Sequence, residues 1–401
     1  AAARDLLRMG DLLGRGREAL VDIGDLLGVD DRLAIEAHAR DQVDLDIKVK
    51  ERPTGSISLG AGYSTSEGII LSAGFAQNNV FGTGNSISVD VNTSKSQRTY
   101  ALSVVEPYIT PEGLSRSYDL YTRRVDLEEL DVADVEYETT GAGIAWGIPF
   151  TETDRVFLGG RIERTKVMTN ANSPQRYQTY RDEFGKDPLS FALTLGWSRD
   201  SRDNSLAPTR GVYQRVNGEF ALPGLDMEYY KFTYQYQQYI PLSKTWTLAF
   251  NTELGWGDTY GSTSMFPFFK NYYAGGIGSV RGFESGSIGP KDAKDGDNLG
   301  GDRKWTGSVE LLAPLPGGDR TLRIFGFLDF GSVWGYEGYM DGNNIRYRRS
   351  DMSLSDLRYS TGIGIAWISP LGPLKFSIAA PLNDKEGDDI QRFQFQIGTG
   401  F

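Results

Sequence analysis

The chain offers little for enzyme chemistry. Among its 401 residues there is no cysteine and one histidine, His38. Without cysteine there is no disulfide framework and no thiolate to act as nucleophile or metal ligand. A single histidine nearly rules out His-based catalytic triads and His-ligated zinc. We therefore expect a protein that is not an enzyme and that carries neither metal nor cofactor.

One arginine stands out because its surroundings suit a buried contact. Arg281 lies in the sequence Val280-Arg281-Gly282-Phe283, inside the stretch 258–304, which is too long for an idle turn. Glycines around it allow tight backbone turns. If this stretch folds inward, the guanidinium needs an acidic partner, and its planar fork can satisfy two carboxylates.

Glu310 and Asp329 are the candidate partners of Arg281. They lie in the runs 305–314 and 321–334, in which apolar residues alternate with polar ones. In a membrane wall the apolar positions face lipid, so both acids face the lumen, where a charge costs less than at the lipid face. A solvated loop arginine with two ordinary lumen acids fits the same pattern, and the residues alone leave both possibilities open.

The elements that would position these residues are β-strands. From Gly55 to Phe401 apolar and aromatic residues alternate almost throughout with Ser, Thr, Gln, Gly or charged residues. A soluble β-sandwich also alternates, but many runs reach about ten residues or more, as a tilted crossing of a bilayer requires. Aromatic residues at run ends, such as Trp256 and Trp334, are typical of interfacial girdles.

Sixteen runs can be counted, and an even number suits a closed antiparallel barrel. The predicted strands are 55–63, 68–77, 84–94, 98–107, 114–125, 135–149, 154–166, 189–200, 210–222, 229–240, 244–257, 305–314, 321–334, 357–367, 373–381 and 391–401. The longest connections, 167–188, 258–304 and 335–356, are expected outside the cell. No window approaches about 18 consecutive apolar residues, so no transmembrane helix is expected. The net charge of −11 argues against a nucleic-acid partner.

Residues 1–54 differ from the rest of the chain. Leucines at roughly helical spacing predict one helix near 6–13 and another from Arg17 to Leu27. Alternation then predicts strands from Leu33 to Ala39 and from Gln42 to Glu51. These elements would form a small α+β unit. Because no apolar leader opens the chain and it does not begin with Met, we interpret it as a mature or shortened chain.

The motif around Arg281 resembles the VRGF/Y motif of the large family of outer-membrane proteins that join POTRA domains to a β-barrel. In that family the motif lies at the tip of a long extracellular loop tucked into the barrel, and its arginine contacts acids of the inner wall. The resemblance assigns those roles to Glu310 and Asp329. It implies an all-β transmembrane barrel of sixteen antiparallel strands at 55–401, preceded by a POTRA-like periplasmic remnant at 1–54.

Further segments resemble the branch of this family that assembles outer-membrane proteins. They are 50–56, 81–84, 272–276, 369–373 and the closing Phe393-Gln394-Phe395. The likeness runs from about Gln42 to Phe401. Residues 26–29 are Leu-Leu-Gly-Val where the POTRA signature is Leu-Gly-Tyr-Phe, so the first forty residues are less similar.

The resemblance implies a protein that folds and inserts client β-barrels into the bacterial outer membrane. The expected route is a lateral gate between strands 55–63 and 391–401, whose glycines weaken the pairing. An opened seam would present an edge to which a client strand adds by main-chain hydrogen bonding. The expected gate residues are Gly55, Ile57, Leu59, Gly60, Gly62, Phe393, Phe395, Ile397, Gly398 and Phe401. The implied partners are unfolded outer-membrane clients, outer-membrane lipids and lipopolysaccharide, and accessory lipoproteins of the assembly complex.

Two other functions remain open at this point. One is a two-partner secretion transporter of the same superfamily, which exports a polypeptide through the lumen, and the other is a passive porin. Conductance recordings combined with an insertion assay would separate the three.

Substitutions along the wall carry further expectations. Gly398→Val is expected to stiffen the seam. Lysine is expected to be tolerated at lumen positions such as Ser308 and Gln394, but not at lipid-facing Leu328 or Phe232.

Overall fold

The computed structural model describes residues 19–22, 32–39, 42–48, 53–315, 321–342, 344–369, 372–385 and 387–398. The chain divides into two compact units, Ala1–Thr54 and Gly55–Phe401. The expected gate residue Phe401 lies outside the described residues.

The first unit contains a small antiparallel sheet. Its strands follow one another in the order Ala19–Asp22, Arg32–Ala39 and Gln42–Lys48. The two later strands confirm the predicted alternation. The predicted helix from Arg17 to Leu27 is wrong where Ala19–Asp22 is a strand. There Val21 pairs with Leu33, and pairing with a neighbouring strand outweighs a weak helical periodicity. The first predicted helix, near 6–13, lies outside the described residues, and the POTRA-like character of this unit stays a prediction.

The second unit is a closed antiparallel barrel of sixteen strands, which confirms the predicted fold. Its strands are β1 (Gly55–Ser64), β2 (Gly68–Gln77), β3 (Ser86–Thr93), β4 (Gln97–Glu106), β5 (Ser115–Asp126), β6 (Val135–Pro149), β7 (Asp154–Thr169), β8 (Leu189–Asp200), β9 (Gly211–Ala221), β10 (Tyr229–Pro241), β11 (Thr247–Thr259), β12 (Arg303–Pro314), β13 (Leu322–Trp334), β14 (Arg358–Ser369), β15 (Gly372–Pro381) and β16 (Phe393–Ile397). Most bounds lie within a few residues of the predicted runs. The last strand begins later than predicted, because Ile390–Gln391 pairs with a loop instead.

Burial along the wall is inverted relative to a soluble protein. Asp329 and Ser377 are completely buried, whereas their neighbours Leu328 and Ile378 are 44% and 51% exposed. Large exposed apolar areas are unfavourable in water, but they are the arrangement that a barrel in lipid requires. The predicted lipid and lumen faces are therefore confirmed. Trp334 is an exception to the predicted girdle, since its side chain is buried.

Two of the long connections contain regular structure that the alternation did not predict. The connection after β7 holds the helix Gln175–Phe184, which buries Tyr177 and Tyr180. The connection after β13 holds the hairpin Tyr336–Asp341 and Asn344–Arg349. No helix in the described ranges is long and apolar enough to cross a membrane.

The connection between β11 and β12, residues 260–302, folds into a packed core and is called the inward loop below. A 3-10 turn, Phe268–Lys270, buries two phenylalanines, and the ring of Phe268 stacks on Tyr177 with centroids 4.2 Å apart. A second apolar cluster includes Val280, Phe283 and Ile288. Apolar residues of the loop therefore pack against each other and against the helix after β7.

Candidate functional site: the inward loop and the seam

Arg281 is buried to 2% exposure and is held by Asp329. Its Nε and Nη2 donate to the two carboxylate oxygens at 2.7 and 2.6 Å. The backbone N–H of Arg281 also donates to Asp329 Oδ2, at 3.0 Å. This fork on one carboxylate fixes both the position and the plane of the guanidinium.

Glu310 and Ser308 complete the polar contacts of the guanidinium. Nη1 of Arg281 lies 2.7 Å from Glu310 Oε1, and Nη2 donates to Ser308 Oγ at 3.0 Å. Both residues belong to β12, and their side chains face inward because the strand alternates. On the other side of Glu310 lies Lys375 of β15, with Nζ 3.8 Å from the same carboxylate oxygen. Two cations thus share the two buried acids.

An aromatic ring covers the face of the guanidinium. The carbon Cζ of Arg281 lies 3.6 Å from the centroid of Phe327, which is within cation–π range. Phe327 precedes Asp329 by two residues on β13, so both point into the lumen. Sequence reasoning missed this contact, although the period of two that placed Asp329 inward places Phe327 there as well.

The pKa of Arg281 reflects these contacts. Burial alone would lower the pKa of the guanidinium, but hydrogen bonds and charge interactions with Asp329 and Glu310 raise it above its ordinary value. A buried charge is tolerated only when it is paired and hydrogen-bonded. Arg281 therefore stays a cation, and the loop cannot leave the wall without separating this ion cluster.

The remaining motif residues explain why the loop approaches so closely. Val280 and Phe283 are completely buried. Gly282 has a φ of +93°, and a Cβ there would lie 3.1 Å from the Cβ of Ala379 on β15. A left-handed backbone in contact with the wall explains the glycine at this position.

The motif also pairs with the segment just before the last strand. Gly282–Phe283 forms a short antiparallel ladder with Ile390–Gln391. The amide of Gln394 in β16 donates to the carbonyl of Phe283 at 2.7 Å. Sequence reasoning assigned Arg281 to the wall but did not foresee this second contact, because nothing in the alternation marks Ile390–Gln391 as the partner of a loop.

The seam between β1 and β16 is short. In the described part of the chain, these strands pair at Tyr63 with Ile397 and at Ser64 with Gln396, followed by a bond from the N–H of Thr65 to the carbonyl of Phe395 at 3.0 Å. By contrast, β1 pairs with β2 along its whole length. The rings of Tyr63 and Phe395 stack across the seam with centroids 5.1 Å apart.

The rest of the seam-side edge of β1 has no strand partner among the described residues. The predicted gate residues of this strand lie there: Gly55, Ile57, Leu59, Gly60 and Gly62. Ile57 and Leu59 are 79% and 82% exposed. Of the predicted residues of β16, Phe393, Phe395 and Ile397 lie on its outer face. Among the described residues, the two strands therefore meet at the Tyr63–Ser64 end of β1.

Gly398, the last residue that the structure describes, lies close to β1. Its φ is +85°, and a Cβ would lie 2.6 Å from the carbonyl oxygen of Ala61 and 2.9 Å from Cα of Gly62. Its N–H donates to the carbonyl of Pro373 at 2.9 Å, toward β15. At Gly398 the backbone thus lies against β1 too closely for a side chain.

No group of three or more His, Asp or Glu side chains suited to a metal ion occurs in the described ranges. The notable clusters of charge among these residues are ion pairs that hold the inward loop against the wall.

Known proteins resemble both the sequence and the fold. The chain is 41% identical, over 94% of its length, to "Outer membrane protein assembly factor BamA" of Neisseria meningitidis serogroup B. It is 28% identical, over 98% of its length, to the protein of the same name in Nitratidesulfovibrio vulgaris. The chain spans 51% and 47% of these two relatives.

A solved structure is similar over most of the chain. The crystal structure of BamA from Haemophilus ducreyi lacking POTRA domains 1–3 superposes with a TM-score of 0.77 and 29% identity, covering 92% of this chain and 75% of that one. The model of the Omp85 superfamily domain matches residues 79–401, which include the inward loop, its acidic partners and β16. The chain therefore belongs to the Omp85 superfamily.

Proposed function

We propose that this protein is an assembly factor that folds client β-barrels and inserts them into the outer membrane through the seam between β1 and β16. As a member of its superfamily it is an outer-membrane protein, with its N-terminal region in the periplasm. The relatives named as assembly factors support the activity. The sideways opening is our inference from the geometry of the seam.

The observation that carries the proposal is the edge of β1 that has no strand partner in the described part of the chain. Residues Gly55 to Gly60 present main-chain donors and acceptors, and Ile57 and Leu59 lie exposed beside them. In lipid no water can satisfy such groups, so an added strand gains its hydrogen bonds without losing bonds to solvent. A client strand that pairs here would be templated along the full length of β1.

The mechanism uses no covalent step and no cofactor, and the protein is proposed not to be an enzyme. Burial of the client's apolar face in lipid and closure of its own hydrogen bonds supply the free energy. The partners are unfolded outer-membrane proteins, lipids and lipopolysaccharide of the membrane, and accessory lipoproteins of the assembly complex.

A disulfide across the seam tests the proposal. Since the N–H of Thr65 bonds to Phe395, the neighbouring pair Ser64 and Gln396 is the type without main-chain bonds, with Cα atoms about 4.5 Å apart. That spacing suits a disulfide, and the chain has no other cysteine. We expect Ser64→Cys with Gln396→Cys to oxidise readily, to leave the barrel folded and to stop client insertion until reductant is added.

A disulfide elsewhere in the wall is the matched control. Ser88 and Ser103 are paired across β3 and β4, outside the seam, and locking them should leave insertion unchanged. Insertion by the fully oxidised seam variant at the rate of its reduced form would overturn the lateral route.

A further inference from the structure

A second buried ion cluster holds the inward loop, away from Arg281. Lys270 ends the turn Phe268–Lys270, and its side chain is 12% exposed. Its Nζ lies 2.7 Å from Glu163 Oε2 and 2.8 Å from Glu219 Oε1. Sequence reasoning did not single out any of these three residues.

The cluster is nearly complete in its hydrogen bonds. The hydroxyl of Tyr121 donates to Glu163 and that of Tyr229 to Glu219. Arg161 adds a second cation, with Nη1 3.5 Å from Glu163, so each acid of the cluster lies against a cation. Burial works to lower the pKa of Lys270, yet the two glutamates raise it well above its ordinary value. A set of buried charges matched in this way is stable only while its members stay together.

The two clusters tie the loop to different parts of the wall. Glu163 belongs to β7 and Glu219 to β9, whereas Arg281 binds β12 and β13. Beyond Arg281, the loop continues into the ladder with Ile390–Gln391, immediately before β16. The loop therefore runs from a wall segment remote from the seam in strand order to the last strand itself.

The stretch between Lys270 and Arg281 is held by backbone hydrogen bonds to other parts of the loop. Tyr272 pairs with Gly301 and Ala274 with Ile288 as isolated bridges. The N–H of Gly276 bonds to the carbonyl of Phe283 at 2.9 Å. Displacement at one end of this stretch should therefore reach the other end instead of being absorbed by slack chain.

We propose that Lys270 is a positioning residue for the seam: by bridging Glu163 and Glu219 it fixes the remote end of the inward loop, against which the motif holds the start of the last strand. Considered by itself, Arg281 ties the loop to β12 and β13, which are close to β16 in strand order. Lys270 makes the loop a strut across strands β7 to β13. This role of Lys270 in the seam can be tested without clients. Its relevance to client insertion rests on the proposed function.

Amide hydrogen exchange at the seam tests this role. Lys270→Met removes the charge and keeps a long apolar stem. We expect exchange at the amides of Thr65 and Glu284, which bond to Phe395 and Asp389, to become about ten-fold faster, as for an easier local opening. Amides between β3 and β4 should not change. Lys270→Arg should restore much of the protection, because a cation again bridges the acids.

A double-mutant cycle separates positioning from general damage. If the ion cluster acts as a unit, Glu219→Gln should have little further effect on exchange in the Lys270→Met background. Lys95→Met, at an exposed ion pair with Glu129, is the matched lysine control and should leave the seam unchanged. Should Lys270→Met not fold, Glu219→Gln alone keeps the contact with Glu163 and carries the same test.

Unchanged exchange at both Thr65 and Glu284 in a folded variant would overturn the role of Lys270. A seam-locked protein that still inserts clients would overturn the proposed function instead, and it would leave the exchange result standing.

Discussion

At the scale of single residues, Arg281 brings a full charge into the barrel interior. Its guanidinium is offset by Asp329 and Glu310 and covered by Phe327. An apolar loop tip would have reached the same depth at lower electrostatic cost, but it would not have been specific for this place on the wall. The ion cluster selects one register of the loop against β12 and β13.

Arg281→Ala should loosen the loop. Asp329 and Glu310 would remain buried without their main cation, a change that typically costs about 3–5 kcal/mol. Lys375 near Glu310 should soften this loss. We expect a lower unfolding midpoint and faster proteolysis within 260–302. Arg346→Ala, at an exposed ion pair, is the control. A variant with the protease resistance of the parent would contradict the assigned contact.

Asp302 gives the outer side of the barrel a dependence on pH. Its carboxylate accepts a bond from Arg349 Nη2 at 2.9 Å. Burial raises the pKa of Asp302 from 3.8 to about 6, against the opposing effect of Arg349. The folded state therefore binds this proton more tightly than the unfolded chain. The resulting stabilisation is full below the ordinary pKa and is lost as the pH rises through about 6.

Asp302→Asn should remove this dependence. The variant should gain stability relative to the parent as the pH is raised from about 4 to about 6.5, because only the parent must ionise a buried acid. Thermal unfolding of both proteins across this range measures the difference. Asp341→Asn, at an exposed acid of the neighbouring hairpin, should show a smaller change. A constant difference between parent and Asp302→Asn would argue against the raised pKa.

At the scale of elements, the strands of the barrel wall could be predicted from the sequence, but the helix after β7 and the strand Ala19–Asp22 could not. A period of two marks each wall strand because one side faces lipid and the other the lumen. The helix Gln175–Phe184 lies outside the wall and is stabilised by packing of Tyr177 and Tyr180, which alternation cannot reveal. The strand Ala19–Asp22 depends on a partner ten or more residues away, and local periodicity misassigned it.

The alternation alone also gives an incomplete description of the lumen face. It predicts a water-exposed surface on which lysine is tolerated. Instead, Ser308 accepts a bond from Arg281 and Gln394 donates to Phe283, and both are buried. Lysine at either position would bring an additional charge against the inward loop. Whether lysine is tolerated at these positions depends on the inward loop that they contact, and the sequence of a single strand does not reveal that contact.

Gly398→Val should weaken the seam, contrary to the expectation from the sequence that it would stiffen the seam. A Cβ would lie 2.6 Å from the carbonyl of Ala61 in a left-handed backbone, so the end of β16 must move away from β1. We expect slower oxidation of the Ser64 and Gln396 cysteine pair in this background. Gly218→Val on β9, where a Cβ would approach no atom closer than 3.7 Å, is the control. Faster oxidation would contradict this geometry.

At the scale of the whole molecule, the loops decide how open the barrel is. Tyr177, Tyr180, Phe268, Phe269 and Leu299 belong to one buried apolar cluster. The apolar packing between the helix after β7 and the inward loop distinguishes this barrel from a wide aqueous pore. A passive porin with this wall would need an open lumen, without this packing between the helix and the inward loop.

Removing the inward loop should convert the barrel into a channel. Replacing residues 262–300 with a short Gly-Ser linker keeps β11 and β12 joined and removes both ion clusters. We expect low conductance of the intact protein in planar bilayers and a marked increase in the shortened form. Equal conductance of the two proteins would mean that other elements close the lumen.

The short seam also has a mechanical consequence. A closed ring under circumferential load yields at its weakest joint, and in the described part of the chain that joint is the seam, which is held at Tyr63, Ser64 and Thr65. Lateral pressure from the surrounding lipids acts on the whole circumference, so thinner or more disordered bilayers should change the width of this one joint first. In a pulling experiment from the C-terminal end, rupture should begin between β16 and β1 and continue through β15 and β14, strand by strand. The barrel would behave as a split ring whose gap is set by the membrane around it.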